Sequence, residues 1–165
     1  MTSEENIFKD LKNDHNNLKP IDKHSHVRGP SSPPLVHCTI SNLLKKTVSK
    51  FGQRDALIFK DHRLNYIEFD NMVDKLAIGF IKIGLKKGDR LGIWSPNRLE
   101  WVLTQFATAR IGVILVNINP AYRLSELEYS LNKVSCKALI LAKNFKSSEY
   151  LEMILSLAPE LKKST

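Results

Sequence analysis

The loop from Gly84 to Arg90 (GLKKGDR) has the composition of a phosphate-binding segment. Glycine lets a backbone approach a phosphate closely, and lysine or arginine neutralises its charge. The spacing does not fit, because a P-loop needs Gly-Lys-Ser/Thr directly before a helix and a dinucleotide-binding turn needs its glycines after a strand. Here the glycines precede a predicted strand. We therefore interpret the loop as a helix end followed by a turn.

Histidine and cysteine are few and poorly spaced for metal or thiol chemistry. His24 and His26 lie close together, but in a polar segment that makes a poor metal site. Cys38 and Cys136 are far apart, which favours two reduced thiols in an intracellular protein. Neither is accompanied by a second cysteine, and a catalytic cysteine is not expected.

Three polar segments follow predicted strands: Ser95–Asn97, Asn117–Tyr122 and Ala142–Asn144. Ligands of open α/β sheets bind beyond the carboxyl ends of the strands, so these segments are the plausible lining of a site. Asn, Pro and Ser are also the ordinary residues of turns and helix caps, and this simpler interpretation is favoured.

The stretch from Arg90 to Leu141 must position these segments. Its short apolar runs, Leu91–Trp94, Val113–Val116 and Ala138–Leu141, predict strands, and the segments between them have helical periodicity. Strands joined through helices run parallel with right-handed crossovers. We expect an α/β fold, the amino-terminal part of a doubly wound, mainly parallel sheet flanked by helices. The run Val113–Val116 suits a strand covered on both faces.

Two helices and a hairpin are predicted before this stretch. Thr39 caps the first helix and Gly52 ends it in the left-handed conformation, while Asn65 and Glu68 form a capping box for the second. A tight turn at Lys60–Arg63 pairs two short strands. The predicted inward residues are Ile40, Leu43, Leu44, Thr47, Val48 and Phe51 in the first helix, and Phe69, Met72, Val73, Leu76, Ala77, Phe80 and Ile81 in the second.

Three helices are predicted later in the chain. The first has Pro96 in its opening turn, the second begins with a capping box of Ser125 and Glu128, and Ser147 caps the last, which ends at about Leu157. The predicted inward residues of the first two are Trp101, Val102, Gln105, Phe106 and Ala109, then Leu127, Leu131 and Val134.

Composition and charge narrow the class of protein. The 165 residues, 42% hydrophobic and 25% charged, suit one globular domain. Residues 1–37 carry five basic and five acidic side chains, so the net charge of +8 lies on residues 38–165. There the lysines are scattered, with no arginine-rich run, which disfavours nucleic-acid binding. The longest apolar run, Ile111–Val116, is too short for a membrane span of about 20 residues.

The first 37 residues are expected to form a flexible polar tail and an extended lead-in, because they offer little apolar surface to bury. Acidic residues come early and the first arginine is Arg28, unlike a mitochondrial presequence. This terminus by itself favours the cytoplasm.

The segments LNYIEF (64–69), GLKKGDRL (84–91) and ARIGVILVNINP (109–120) follow one another in this chain. Together they resemble the amino-terminal part of the adenylate-forming superfamily of acyl-CoA synthetases, luciferases and adenylation domains. The first departs from the family's L-T/S-Y-x-E-L motif at Asn65 and Phe69, both compatible with a cap and a core. The likeness covers residues 26–165 and is greatest to the medium-chain acyl-CoA ligases.

The resemblance implies a function for the full-length family. Its members activate a fatty acid with Mg-ATP to an acyl-adenylate and transfer the acyl group to coenzyme A. Their phosphate loop, nucleotide contacts, hinge and carboxy-terminal lysine come later than Thr165. No catalytic, cofactor-binding or metal-binding residue is therefore assigned, no cofactor is expected for this chain, and the chain alone is expected to be inactive. Residues 38–165 are then an incomplete amino-terminal portion of the ligase domain.

Alternatives remain open. The chain could be a non-catalytic interaction module or truncated isoform that associates with a full-length ligase, since cutting a doubly wound fold exposes a sheet edge. Binding of nucleic acid by the basic surface is a weaker alternative. The resemblance implies mitochondria, in contrast to the cytoplasm favoured by the amino terminus.

Overall fold

The computed structural model describes residues 36–163, and the chain from Thr39 onward forms one compact unit. The predicted tail falls almost entirely outside the described residues, as do His24 and His26. The helices are α1 (Ile40–Phe51), α2 (Tyr66–Lys82), α3 (Leu99–Ile111), α4 (Leu124–Lys133) and α5 (Tyr150–Leu157), followed by a 3-10 helix (Pro159–Lys163). The strands are β1 (Asp55–Phe59), β2 (His62–Asn65), β3 (Arg90–Trp94), β4 (Ile114–Ile118) and β5 (Ala138–Leu141).

The last three strands form a parallel sheet in the order β4-β3-β5, and β1 and β2 form a separate antiparallel hairpin. Alternate residues of each strand point to opposite faces of the sheet. Leu91 joins a core built with α1, α2 and α3, whereas Trp94 joins a second core built with α4 and α5. Helices therefore cover both faces, which confirms the predicted α/β, doubly wound class.

Several local predictions are confirmed. The Thr39 side chain accepts a hydrogen bond from the Asn42 N–H at 3.2 Å, and Asn65 and Glu68 exchange both bonds of a capping box at 2.9 Å. Gly112 ends α3 with φ of 72°, a backbone conformation that glycine adopts without strain. These caps place the helices where the polar residues predicted them.

The prediction that Gly52 is a left-handed stop is wrong, because its φ of −48° is right-handed. Its carbonyl accepts a hydrogen bond from the Ile67 N–H, which draws the start of α2 against the end of α1. A β-carbon at Gly52 would lie 2.9 Å from the Ile67 side chain and from the Val48 carbonyl. The glycine therefore allows a close approach between two segments.

The predicted starts of the last three helices are also wrong. Helix α3 begins at Leu99, so Pro96 precedes it. In α4 the carboxylate of Glu126, not that of Glu128, accepts a hydrogen bond from the N–H of the residue before the helix. Helix α5 begins at Tyr150, because the residues before it form a tight turn with reciprocal backbone hydrogen bonds.

Some predicted inward residues are exposed: Ile40, Leu43, Ile81, Gln105 and Ile114. Within the described residues β4 lies at the edge of its sheet, and Ile114 is 53% exposed, so the prediction that the whole run is covered on both faces is wrong there. Helix α3 turns a different face inward and buries Thr104 and Thr108. Their hydroxyls donate to the carbonyls of Glu100 and Thr104, which satisfies them inside the core.

Candidate functional site

The carboxyl ends of the parallel strands lie at one edge of the sheet. Trp94 is in register with Ile118 and with Leu141, so the three strands end at the same level. The register places Ser95–Asn97, Asn119–Tyr122 and Ala142–Asn144 beyond the same edge, whereas Asn117 and Ile118 of the predicted segment Asn117–Tyr122 still belong to β4. We refer to these three segments as the carboxyl edge.

Two buried aromatic residues hold the carboxyl edge together. The rings of Trp94 and Tyr150 stack, with centroids 3.6 Å apart and an angle of 12° between their planes. The Trp94 indole N–H donates to the Asn119 carbonyl at 3.1 Å, and the Tyr150 hydroxyl donates to the Pro120 carbonyl. Burial raises the pKa of the Tyr150 hydroxyl, so it remains a donor. The stacked pair thus fixes the turn after β4 on top of the second core.

Sequence reasoning missed Tyr150, because it lies in a helix whose start was placed too early. The signal that could have found it is an aromatic hydroxyl on an otherwise apolar helix face, which needs a polar partner when buried. The Asn-Pro turn supplies that partner.

Two polar side chains of the carboxyl edge, those of Ser95 and Asn119, stabilise its turns. The Asn119 side-chain carbonyl accepts from the Ala121 N–H at 2.9 Å, and the Ser95 hydroxyl donates to the Pro96 carbonyl at 2.9 Å. The guanidinium of Arg123 donates to the Ser148 hydroxyl at 2.6 Å. This geometry agrees with turn chemistry, and Ser95 donates to a backbone carbonyl instead of a general base.

In the charged loop Gly84–Arg90, the side chains of Asp89 and Arg90 are engaged in hydrogen bonds within the loop and with residues before β5. The Asp89 carboxylate accepts from the Lys86 N–H and from the Lys137 ammonium, both at 2.7 Å. The hydrogen bond from Lys137 chiefly holds the pKa of Asp89 below its usual range. Arg90 donates to the Val134 carbonyl at 2.8 Å. These hydrogen bonds hold the loop, which follows α2 in the chain, against the segment before β5. The loop is therefore a helix end and turn, as predicted.

The thiols and carboxylates do not assemble a reactive or metal centre in the described part of the chain. Burial raises the pKa of the Cys136 thiol, although the charge of Arg90 opposes this shift. Within residues 36–163 no group of three or more His, Cys, Asp or Glu side chains could hold a metal ion. No helix in the same range is long and apolar enough to cross a membrane.

A charge cluster ties the first three helices together, and sequence reasoning missed it. Arg110 of α3 donates to Asp70 at 2.5 Å and to Asp74 at 2.7 Å, both on α2. Lys45 of α1 donates to the same two carboxylates at 2.9 and 3.2 Å. The carboxylates recur four residues apart on one face of α2, and this spacing was the available signal.

An apolar groove runs beside β5, which pairs on one side only within the described residues. Its volume is about 590 Å³, and it lies between β5, α5 and the 3-10 helix. Aliphatic side chains form most of the wall, including Leu139, Leu141, Leu151, Ile154, Leu155 and Leu161.

Residues 44–165 match the family described as AMP-binding enzyme. A protein of Mus musculus named medium-chain acyl-CoA ligase ACSF2, mitochondrial, is 45% identical over 150 residues, which are 90% of this chain and 24% of that protein. The Homo sapiens protein of the same name is 44% identical over 144 residues, or 86% of this chain and 23% of its own length. The chain thus spans about a quarter of the length of these curated relatives.

Solved structures of similar fold have lower identity. The amino-terminal subdomain of NpsA from Klebsiella oxytoca superposes with a TM-score of 0.61 at 22% identity, over 67% of this chain and 29% of that one. The amino-terminal domain of FACL13 from Mycobacterium tuberculosis gives a TM-score of 0.61 at 23% identity, over 62% and 26% of the two chains. These likenesses concern the fold alone.

Proposed function

Because this chain belongs to the family of AMP-binding enzymes, we propose that it forms the amino-terminal part of a medium-chain fatty acid–CoA ligase. The observation that carries the proposal is the 45% identity, over 90% of the chain, to a protein named medium-chain acyl-CoA ligase. The complete ligase would activate a fatty acid with ATP to an acyl-adenylate and pass the acyl group to coenzyme A. Residues 38–165 would be part of its amino-terminal subdomain, preceded by the lead-in 1–37.

In this proposal the chain supplies scaffold. Adenylyl transfer requires donors and a metal ion arranged around the reacting phosphate. At the carboxyl edge the Ser95 hydroxyl and the Asn119 side chain are already bonded to its own turns. The groups that bind Mg-ATP and coenzyme A would therefore come from other parts of the complete ligase.

We expect the isolated chain to form no acyl-CoA from octanoate, ATP and coenzyme A above a blank without protein. Fusing it to the remaining three quarters of a medium-chain relative should give turnover, because the scaffold is then combined with the phosphate-binding groups. Mass spectrometry of acyl-CoA measures both. Enzymes commonly accelerate reactions by 10⁶-fold or more, so even a partly active fusion is detectable.

The matched control is the relative's own amino-terminal part fused at the same junction. If that control is active and the fusion with this chain folds but is inactive, the assignment to this ligase class fails. Turnover by the isolated chain would contradict the scaffold role.

The names of the relatives also bear on location. We propose that the complete ligase works in mitochondria, as the relatives' names state for those proteins. Fractionation of cells that make the natural protein would test this, and its recovery only in the cytoplasm would contradict it.

A second candidate function is association with a full-length ligase, and the groove beside β5 favours it. A strand that pairs on one side presents unpaired backbone groups, and the adjoining groove presents aliphatic side chains. A partner that added a strand there would cover both.

If the groove is the contact, Leu151→Glu should abolish co-purification of this chain with a full-length medium-chain ligase. Leu151 is exposed and lines the groove, so a carboxylate there would be buried by the partner at high cost. Leu124→Glu is the control, since Leu124 is similarly exposed but lies outside the groove. A chain that stays monomeric beside the ligase would count against this function.

A further inference from the structure

One face of α2 and the loop after it form a patch of isoleucine and lysine. Ile78, Ile81 and Ile83 are 53%, 56% and 69% exposed, and no other stretch of the described chain exposes three large aliphatic residues so closely in sequence. Exposed lysines precede and follow them in the sequence. The lysine–isoleucine patch consists of Lys75, Ile78, Ile81, Lys82, Ile83, Lys86 and Lys87.

The helix geometry places the first four of these residues together. Residues three and four apart are neighbours on a helix surface, so Lys75, Ile78 and Lys82 follow one another along one face, with Ile81 beside them. The opposite face of α2 buries Val73 and other residues in the first core. The exposed isoleucines of the outer face do not belong to that core.

The charge of the patch is not neutralised from within. The four lysine side chains make no ion pair among residues 36–163. The carboxylates that flank this stretch in the sequence are already paired, Asp74 with Arg110 and Lys45, and Asp89 with Lys137. Residues 75–87 therefore carry four exposed lysines without an ion pair and three exposed aliphatic side chains.

We propose that the lysine–isoleucine patch docks this protein on an anionic lipid surface. Exposed isoleucine side chains insert at the boundary between lipid headgroups and acyl chains, and lysines pair with the lipid phosphates around them. Lysine is depleted in protein–protein interfaces, so a protein partner explains four of them poorly. The proposal rests on the exposure of these residues in the described chain and on no step of the ligase reaction.

The direct test is flotation of the 165-residue chain with lipid vesicles. We expect binding to phosphatidylcholine vesicles that contain about one third phosphatidylglycerol, and much weaker binding to phosphatidylcholine alone. Raising the salt from about 0.05 M to about 0.5 M should weaken the binding, because exposed charges are screened. Absence of binding to the anionic vesicles, or equal binding to both kinds, would overturn the proposal.

Two variants test whether the lysine–isoleucine patch is the surface that binds the vesicles. Replacing Lys82, Lys86 and Lys87 together by glutamate should reduce binding by roughly 100-fold or more, since each lysine contributes several-fold and each replacement also reverses the charge. The double variant Ile78→Ser/Ile81→Ser should weaken binding by roughly tenfold without changing the charge. Both sets are exposed, and a circular dichroism spectrum verifies that the fold is kept.

The matched control replaces Lys146, Lys162 and Lys163 by glutamate, which changes the net charge by the same amount at exposed positions after β5. Retained binding by this control supports the patch. Equal loss in both triple variants would attribute binding to overall charge and overturn it. Vesicle binding that survives the patch variants, while self-association or capture of another protein is lost, would assign the patch to a protein partner instead.

Discussion

Replacing Trp94 by alanine is expected to lower the free energy of unfolding by about 3–5 kcal/mol, the range for truncating a large aromatic residue in a core. Trp94 is completely buried and stacks on Tyr150. The truncation also removes the indole N–H that donates to the Asn119 carbonyl. Urea unfolding followed by circular dichroism measures the loss.

The other tryptophan of the chain provides the control. Trp101 is only half-buried, so Trp101→Ala removes the same atoms from a less enclosed position and should cost clearly less. Tyr150→Phe separates the hydrogen bond from the packing: it keeps the stacked ring and leaves the Pro120 carbonyl without its donor, at about 1–3 kcal/mol. If Trp94→Ala costs no more than Trp101→Ala, the stacked pair does not hold the second core.

Amide hydrogen exchange tests whether Trp94 also holds the carboxyl edge. The N–H groups of Ala121 and Tyr122 donate to Asn119, the residue that the indole fixes. In Trp94→Ala these amides should exchange faster than in Trp101→Ala, because the turn loses one of its two aromatic anchors. Unchanged exchange at the Ala121 amide would show that the turn keeps its structure without the Trp94 indole.

The sheet could be predicted because its determinants are local and repeated. Three apolar runs separated by helical segments leave few topologies, and crossover handedness removes most of those. Register then brings the ends of the strands together, which is why the adjacency of Ser95–Asn97, Asn117–Tyr122 and Ala142–Asn144 followed from the pattern. The two helix caps at Thr39 and Asn65 were readable for the same reason, since a cap involves residues only three apart.

What could not be predicted depends on which neighbours cover each element. Ile81 continues the apolar periodicity of α2 and is nevertheless exposed, because periodicity gives the direction of a side chain but not what packs there. Thr104 and Thr108 were not among the predicted inward residues, yet their hydroxyls donate to carbonyls of their own helix and the side chains pack in the core.

The remaining failures concern contacts between distant segments. Tyr150 meets Pro120, and Arg110 meets Asp70, across separations that no short motif encodes. Gly52 was explained by backbone handedness, the common use of glycine after a helix, when its function is to admit Ile67. In each case the residue type was informative, but its partner became visible only in the folded chain.

Removing the charge of Asp70 is the second change with a large expected effect. In Asp70→Asn the free energy of unfolding should fall by about 3 kcal/mol, the low end of the range for breaking a buried ion pair, because Asp74 still faces Arg110. The side chains of Asp70 and Arg110 are only 9% and 12% exposed. Asp74→Asn is the control: with a side chain 42% exposed, its loss should cost about 1 kcal/mol or less.

Acid should remove the same contribution from the unsubstituted chain. Burial alone raises the pKa of the Asp70 carboxyl, but hydrogen bonds from Arg110 and Lys45 outweigh it and hold the pKa below the usual value of 3.8. A lowered folded-state pKa stabilises the protein above the unfolded-state value, and this stability is lost as the pH falls through the folded-state value. The difference in unfolding free energy between wild type and Asp70→Asn should therefore be constant at neutral pH and shrink below about pH 4.

Replacing both partners distinguishes a buried pair from two independent contacts. Arg110→Met leaves Asp70 without its main partner. The double variant Asp70→Leu/Arg110→Met fills the same space with apolar atoms and leaves neither charge of the pair unpaired. Since an unpaired buried charge is costlier than no charge, the double variant should be more stable than Arg110→Met alone. Additive losses in the two single variants and the double variant would mean that Asp70 and Arg110 contribute separately. The same would follow if wild type and Asp70→Asn lost stability in parallel down to about pH 2. Packing, not the charge cluster, would then hold α2 against α3.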